Sequence, residues 1–450
     1  MLGVIDRRAE ELKNKIMTAK SAWNGAGTAY YISNDGNDAS DGTTPGTAWK
    51  TLERVNTFGG YKRGDWVLFE RGGEWRGQLN AQGGVRYSAY GAGDKPIITG
   101  SDKNYAVASE WTETDVKNVW KNALVKTNDV GLVVFNHGEN WSYKMVVGID
   151  GFEGRLDQMT RDLQMYHSLD DQHVYLYSDK GNPGERFDSI EMAEKRHVIT
   201  VEGDDVLIDN LFVRYGGSHG IGTMNRNGLT VKNCVLAWIG GSLQGVDSQA
   251  RTRSTTRYGN AIEIYIACRD YTVENCYIYQ IYDAAITHQF KNLNPETVRH
   301  ENVLYKDNLI EKCTYSIEYF LDQENAPDQI MKNIEMTGNI CRLAGYGFGD
   351  QRPDKTQASH IKSWDSHANR AENFRIHGNI FDRGRYMVMH CAAGCEEWMP
   401  EVYDNLFVQW EGGDFGRFGV TPNKESRPFD SALMNDERLA NNALCIAKKD

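Results

Sequence analysis

Seven asparagines, each followed by an apolar residue, recur through the second half of the chain and point to a repeating architecture. They are Asn210, Asn233, Asn275, Asn308, Asn339, Asn379 and Asn405, followed by Leu211, Cys234, Cys276, Leu309, Ile340, Ile380 and Leu406. The spacing varies from 23 residues (210 to 233) to 42 (233 to 275), so a short coil repeats and loops absorb the excess. In a stack of coils, asparagines at one turn position can hydrogen-bond to their copies above and below, while the apolar neighbour fills the core.

A second set of short strands accompanies this ladder: Gly220–Gly222, Ala261–Glu263, Ala285–Thr287, Ser316–Glu318, Gly347–Gly349 and Met387–Met389. The middle residues (Ile221, Ile262, Ile286, Ile317, Phe348, Val388) are all apolar and are expected to point inward. The next position then points out, because strand side chains alternate. That position holds Gly222, Glu263, Thr287, Glu318, Gly349 and Met389. The stretch Tyr258–Phe290 shows the repeat most clearly, with one coil and the start of the next.

The N-terminal region carries a different pattern. Residues 1–28 include a charged, amphipathic helix with Leu2, Ile5, Leu12, Ile16 and Met17 as its apolar stripe, expected to lie across the start of the solenoid. A second, short helix is expected over 48–56, capped by Thr47. The order YYIS…GNDxxDGTxPxxxWKTL, GDxVLFxRGxxWRG and YGAGDKPIITG over 29–102 resembles the cap and first coils of the pectate-lyase-like superfamily. These are right-handed parallel β-helix carbohydrate-active proteins. The resemblance implies an all-β fold: a right-handed parallel β-helix with an N-terminal helical cap. Residues 103–196 break the solenoid pattern and read as an inserted β-sandwich-like subdomain. The main β-helix is expected over 197–420 and a C-terminal tail over 421–450.

Composition narrows the function. The net charge of −12 argues against a nucleic-acid partner, whose footprint is basic. No apolar run approaches the ~18 residues of a membrane helix. The opening residues lack the pattern of a signal peptide, which implies a cytoplasmic protein or one whose leader has been removed. The eight cysteines follow no small-scaffold disulfide pattern and read as free thiols. Gly is frequent (45) and Pro rare (9), as many tight turns require, and 23 Tyr with 11 Trp suit a sugar-binding groove.

The outward row supplies the candidate chemistry. Glu263 and Glu318 lie on one face with Thr287 between them, and Asp283 lies one coil from Glu263; these three carboxyls are the expected catalytic residues. At roughly 4.8 Å per coil, the backbones of Glu263 and Glu318 stand roughly 9–10 Å apart. Side-chain reach then covers the ~6.5–9.5 Å of an inverting glycosidase, whereas Asp283 with Glu263 approaches the ~5–5.5 Å of a retaining one. Expected substrate-binding residues are Arg257, His288, Gln289, Lys291, Asp350, Arg352, Trp364 and His390, of which His288 falls in an inward column. The leading reading is a glycoside hydrolase acting on a poly- or oligosaccharide without metal or cofactor. A polysaccharide lyase or uronan epimerase, with calcium entering on that reading alone, and a non-catalytic glycan-binding β-helix stand as alternatives. The superfamily hosts several chemistries, so the fold does not choose among them.

Overall fold

The computed structural model describes residues 1–245, 255–292, 298–323, 330–364, 370–393, 399–420, 427–431, 434 and 437–448. The chain is a parallel β-helix, wound right-handed as parallel crossovers are. One nineteen-stranded sheet covers two sides of the coil and a ten-stranded sheet covers the third. The strand Ile262–Glu274 serves both sides of the larger sheet, bending where Ile266 and Asp270 take φ of 76° and 55°. Inward side chains stack in columns: Ile221, Ile262, Ile286, Ile317, Ile361 and Met389 follow one another in register and are fully buried. Each such side chain contributes about 1.5–3 kcal/mol by leaving water.

The asparagines form two columns and not one. Backbone register aligns Lys232, Glu274, Lys306, Thr337, His377 and Tyr403. The residue after each is the left-handed turn residue: Asn233 (φ 53°), Asn275 (51°), Asp307 (53°), Gly338 (68°), Gly378 (66°) and Asp404 (54°). Asn308, Asn339, Asn379 and Asn405 therefore stand one position later, level with Cys234 and Cys276. There they are buried and joined in a ladder: Asn308 Nδ2 donates to Asn339 Oδ1 (2.9 Å), Asn339 to Asn379 (2.9 Å), Asn379 to Asn405 (3.0 Å) and Asn405 to Asn442 (3.0 Å). Asn210, also in the left-handed conformation, receives the Arg71 guanidinium and the Lys95 ammonium instead. Asn210, Asn233 and Asn275 thus stand at the turn itself, because asparagine tolerates positive φ. The later coils free it for the core by putting Asp or Gly at the turn.

The N-terminal helix, Leu2–Met17, does not lie across the first coil. It runs along the ten-stranded sheet, where Ile5, Ala9 and Ile16 pack with Val235, Tyr277, Leu309, Ile340, Ile380 and Val408. Its apolar stripe matches the outer apolar face of that sheet. The end of the solenoid is closed by Trp49 and a shorter helix, Leu52–Thr57, whose Leu52 and Val55 join the main core. Thr51, not Thr47, caps this helix by accepting from the Arg54 amide (3.1 Å).

The chain leaves the solenoid after Ile97–Thr99 and returns at Ile199–Val201, which pairs with Leu79–Ala81. Between these points, a three-stranded and a five-stranded sheet share a core of Val130, Val133, Phe135, Met165, Val174, Leu176, Ile190 and Met192. Asp129 fastens this insert to the solenoid. It accepts from Lys144 Nζ (2.5 and 2.6 Å) and from the Leu243 amide (2.7 Å). Burial raises the Asp129 carboxyl, but Lys144 and His167 outweigh it and hold it well below the usual range. Residues 443–447 are more than a tail, since Ala443–Ala447 adds a parallel strand to the ten-stranded sheet. Among the described residues, no helix is long and apolar enough to cross a membrane.

The two asparagine columns make a stability prediction. Asn379→Ala removes a buried amide and leaves its ladder neighbours without partners, which costs about 1–3 kcal/mol. Asn275→Gly, which keeps the positive φ (51°) of a partly exposed turn, costs less, in the range of about 0.5–1.5 kcal/mol for one hydrogen bond. Urea unfolding of both variants, followed by circular dichroism, checks the order; equal midpoints would contradict it.

Candidate functional site

Parallel register carries one outward row along the larger sheet: Thr200, Gly222, Glu263, Thr287, Glu318, Lys362, His390 and Arg417. The acidic members and the spacing between them match the sequence expectation. Two later members differ. The strand facing Tyr315–Gln323 is Ser359–Ser363, not 347–349, so Lys362 replaces Gly349 in the row. One coil on, Met389 is the inward residue and His390 the outward one. Residues 347–357 form a loop with two short 3-10 helices, which a period-two pattern cannot reveal.

Glu263 and Glu318 face outward but are not solvated surface, being only 6% and 4% exposed. Two side-chain amides donate to Glu263 Oε2, Asn260 Nδ2 and Gln289 Nε2 (3.0 Å), and His219 Nε2 lies 3.4 Å from the same oxygen. Among the described residues, none donates to Oε1. Burial raises the Glu263 carboxyl to about 6, with the Asn260 and Gln289 amides pulling the other way. Glu318 accepts from the Trp364 indole N–H on Oε1 (2.6 Å). Burial first, and then the charge of Asp283, push the Glu318 carboxyl up to about 8. Asp283 itself is held by Arg352 (Nη1 to Oδ1, 2.5 Å), and Arg352 also binds Asp354 (2.9 Å). Burial, followed by Asp354 and Glu263, raises Asp283 against the pull of Arg352. With the guanidinium on Asp283, the negative charge of this pair rests there and the proton rests on Glu318. Thr287, between the two glutamates, has a buried hydroxyl with no partner among the described residues.

The other expected binding residues divide. Gln289, Arg352 and Trp364 each touch one of the three carboxyls, as above. His390 accepts from Lys362 Nζ on Nδ1 (2.7 Å), and Lys362 lies over the Trp364 ring (3.7 Å). Burial, then Lys362, lowers His390 to about 4. Three residues are corrected. His288 points into the core, fully buried, bonded to the Tyr305 hydroxyl (2.7 Å) and stacked on Tyr319. Arg257 is a buried clamp between solenoid and insert, donating to the carbonyls of Gly241 (2.7 Å) and Gly131 (3.1 Å). Asp350 sits on a 3-10 helix, Phe348–Gln351, and pairs with Tyr386 (2.9 Å) and Arg385 (3.1 Å). The Lys291 side chain lies outside the described residues.

Sequence reasoning missed His197, His219, Asn260 and Lys362. His219 and Asn260 flank recognised strands, and His197 closes the insert, so no periodic signal marks them. Among the described residues, no group of three or more His, Cys, Asp or Glu is placed to hold a metal ion.

No protein-family model matches the chain. A lacto-N-biosidase of Bifidobacterium longum is 36% identical over 106 residues, which is 21% of this chain and 6% of that enzyme. The chain thus spans a small part of that relative's length. A solved lacto-N-biosidase from Eubacterium ramulus is similar at 13% identity, covering 93% of this chain and 68% of that one, with a TM-score of 0.40. An alginate lyase from Paenibacillus is similar at 9% identity, covering 89% and 97%, with a TM-score of 0.43.

Two substitutions should move Glu318 in opposite directions. Asp283→Asn removes the charge that favours its proton and lowers its titration midpoint. Trp364→Phe removes a donor to the carboxylate and raises it. Carbon-13 NMR of labelled glutamate side chains reads both; movement in the same direction would refute this account of the pair.

Proposed function

We propose that the chain is a glycoside hydrolase, with Glu318 as general acid and Glu263 as general base. The observation that carries this reading is the unequal treatment of two carboxyls in one row. Glu318 is kept protonated at neutral pH beside the Asp283 charge, while Glu263 is ionised and held by two side-chain amides on one oxygen. Pushing two carboxyl groups apart in this way assigns acid and base roles. Glu318 then protonates the departing glycosidic oxygen. Glu263, through Oε1, removes a proton from the attacking water. The two-coil separation, roughly 9–10 Å between backbones, leaves room for that water and favours inversion of the anomeric centre. Asp283 is engaged by Arg352, which suits a charge that tunes Glu318 better than it suits a nucleophile. The similarity to a lacto-N-biosidase over part of the chain agrees with a sugar substrate.

The expected pH dependence follows from the two carboxyls. Glu263 must be ionised, so activity rises as pH increases through about 6; Glu318 must be protonated, so activity falls as pH passes about 8. The optimum therefore lies between. A screen of neutral and uronate-containing glycans, read for reducing ends and for ultraviolet-absorbing products, finds the substrate. Glu318→Gln and Glu263→Gln should each reduce kcat by about 10²–10⁴-fold. Proton NMR of the first product should show an inverted anomer. Unsaturated, absorbing products would replace this reading with a lyase, and a retained anomer would move the nucleophile to Asp283.

A further inference from the structure

Two imidazoles stand beside Glu263. The rings of His197 and His219 stack at 5.0 Å between centroids, with 26° between planes. His219 is buried and His197 is half-buried. Their hydrogen bonds fix which nitrogen carries the proton. The Asn260 backbone amide donates to His219 Nδ1 (2.9 Å), so that nitrogen has no hydrogen and the proton of the neutral ring is on Nε2. This Nε2 faces Glu263 Oε2 at 3.4 Å. The His219 backbone amide in turn donates to His197 Nδ1 (3.3 Å), which puts the His197 proton on Nε2 as well. Burial, together with mutual repulsion on the His197 side, lowers both rings to about 4, so both are neutral near pH 7.

Gly222 explains why the outer ring has room. It occupies the row position next to Glu263, and a Cβ there would meet the His197 ring at 2.9 Å. The imidazole therefore takes the place of a side chain in the row. His197 Nε2 is not among the buried atoms left without a partner, and among the described residues no group accepts from it.

We propose that His197 and His219 act as a neutral pair of donors with fixed tautomers: His219 orients Glu263, and His197 binds a hydroxyl of the substrate over Gly222. The inference rests on Glu263 being the base. His219 is a positioning residue: its Nε2 lies 3.4 Å from Oε2, the oxygen to which Asn260 and Gln289 donate, and Oε1 is left for chemistry. His197 is a substrate-binding residue, one coil from Glu263. Its ligand is a neutral sugar ring, because an uncharged N–H in a site facing carboxylates favours an uncharged acceptor. The titratable groups around Glu263 are His197, His219, Tyr258, Tyr271 and Asp283.

The test begins with the free protein. Nitrogen-15 NMR of labelled imidazoles should show the Nε2–H tautomer for both residues from pH 5 to 8; an Nδ1–H form in either would overturn the proposal. His219→Ala should raise the proton affinity of Glu263 by about 2- to 3-fold, because a polar N–H 3.4 Å from the carboxylate is lost. His219→Gln, which keeps an N–H donor, should restore most of it and also guards against a folding defect in the alanine variant. An unchanged Glu263 titration in His219→Ala would overturn the positioning role. On the glycan selected by the screen above, His197→Ala should raise KM by about 3- to 10-fold and change kcat by less than about 3-fold, with partial rescue by His197→Gln. An unchanged KM would overturn the binding role. If Glu263→Gln remains active while the tautomers and the titration shift are as expected, the hydrolytic assignment fails and the orientation of Glu263 by His219 stands.

Discussion

Main-chain hydrogen bonds between successive coils fix the register of every strand to the residue, and the chemistry depends on that register. In an open parallel stack, a one-residue slip would send each outward side chain into the core. Here the isoleucine column forbids the slip: Ile221, Ile262, Ile286 and Ile317 cannot face water without losing about 1.5–3 kcal/mol each. Glu263 and Glu318 are therefore placed by residues that lie on the opposite face of their strands. Their separation is a property of the β spacing, and their unequal proton affinities come from what stands beside them.

Those neighbours act through a small number of contacts in a dry place. A carboxyl that leaves water tends to hold its proton, and both glutamates feel this. What separates them is the next contact. Glu263 meets two side-chain amides, which favour the anion. Glu318 meets an indole N–H but also the charge of Asp283, and the charge prevails. Arg352 keeps that charge on Asp283 by direct contact. Neither glutamate needs a metal for the difference to exist.

The periodic part of this structure was legible in the sequence, and the aperiodic part was not. Alternation placed Glu263, Thr287 and Glu318 on one row because the isoleucines beside them are unbroken. It failed at 347–349, where Phe348 between two glycines imitates a strand but belongs to a 3-10 turn, and so Lys362 went unseen. It failed again with the asparagines, since Asn-apolar pairs occur on both sides of a one-residue change in the turn. The signal was present in the residue before each asparagine: Asp307, Gly338, Gly378 and Asp404 suit positive φ, whereas Lys232 and Glu274 do not. The N-terminal helix shows a different limit. Its stripe was plain, but nothing in the stripe says which apolar surface it will cover.

The change in the asparagine position falls beneath the site. The coil that carries Glu263 ends in Cys276, while the next coil ends in Asn308, which starts the buried ladder. Coils from Asn308 onward carry a buried amide in that column, whereas the coil of Glu263 carries Cys276 there and is tied by the Asn275 amide, which donates to Asn233 Oδ1, and by the Cys276 N–H, which donates to Asn308 Oδ1 (3.0 Å). Asn260 spans this junction: its Oδ1 accepts from the Ala284 amide of the following coil (2.8 Å), its Nδ2 donates to Glu263, and its backbone amide donates to His219. One side chain thus ties Glu263 to the neighbouring coil, on the side where Glu318 stands. Asn260 thus adds a link beside the proposed site to those that Asn275 and Asn308 already make at the turn.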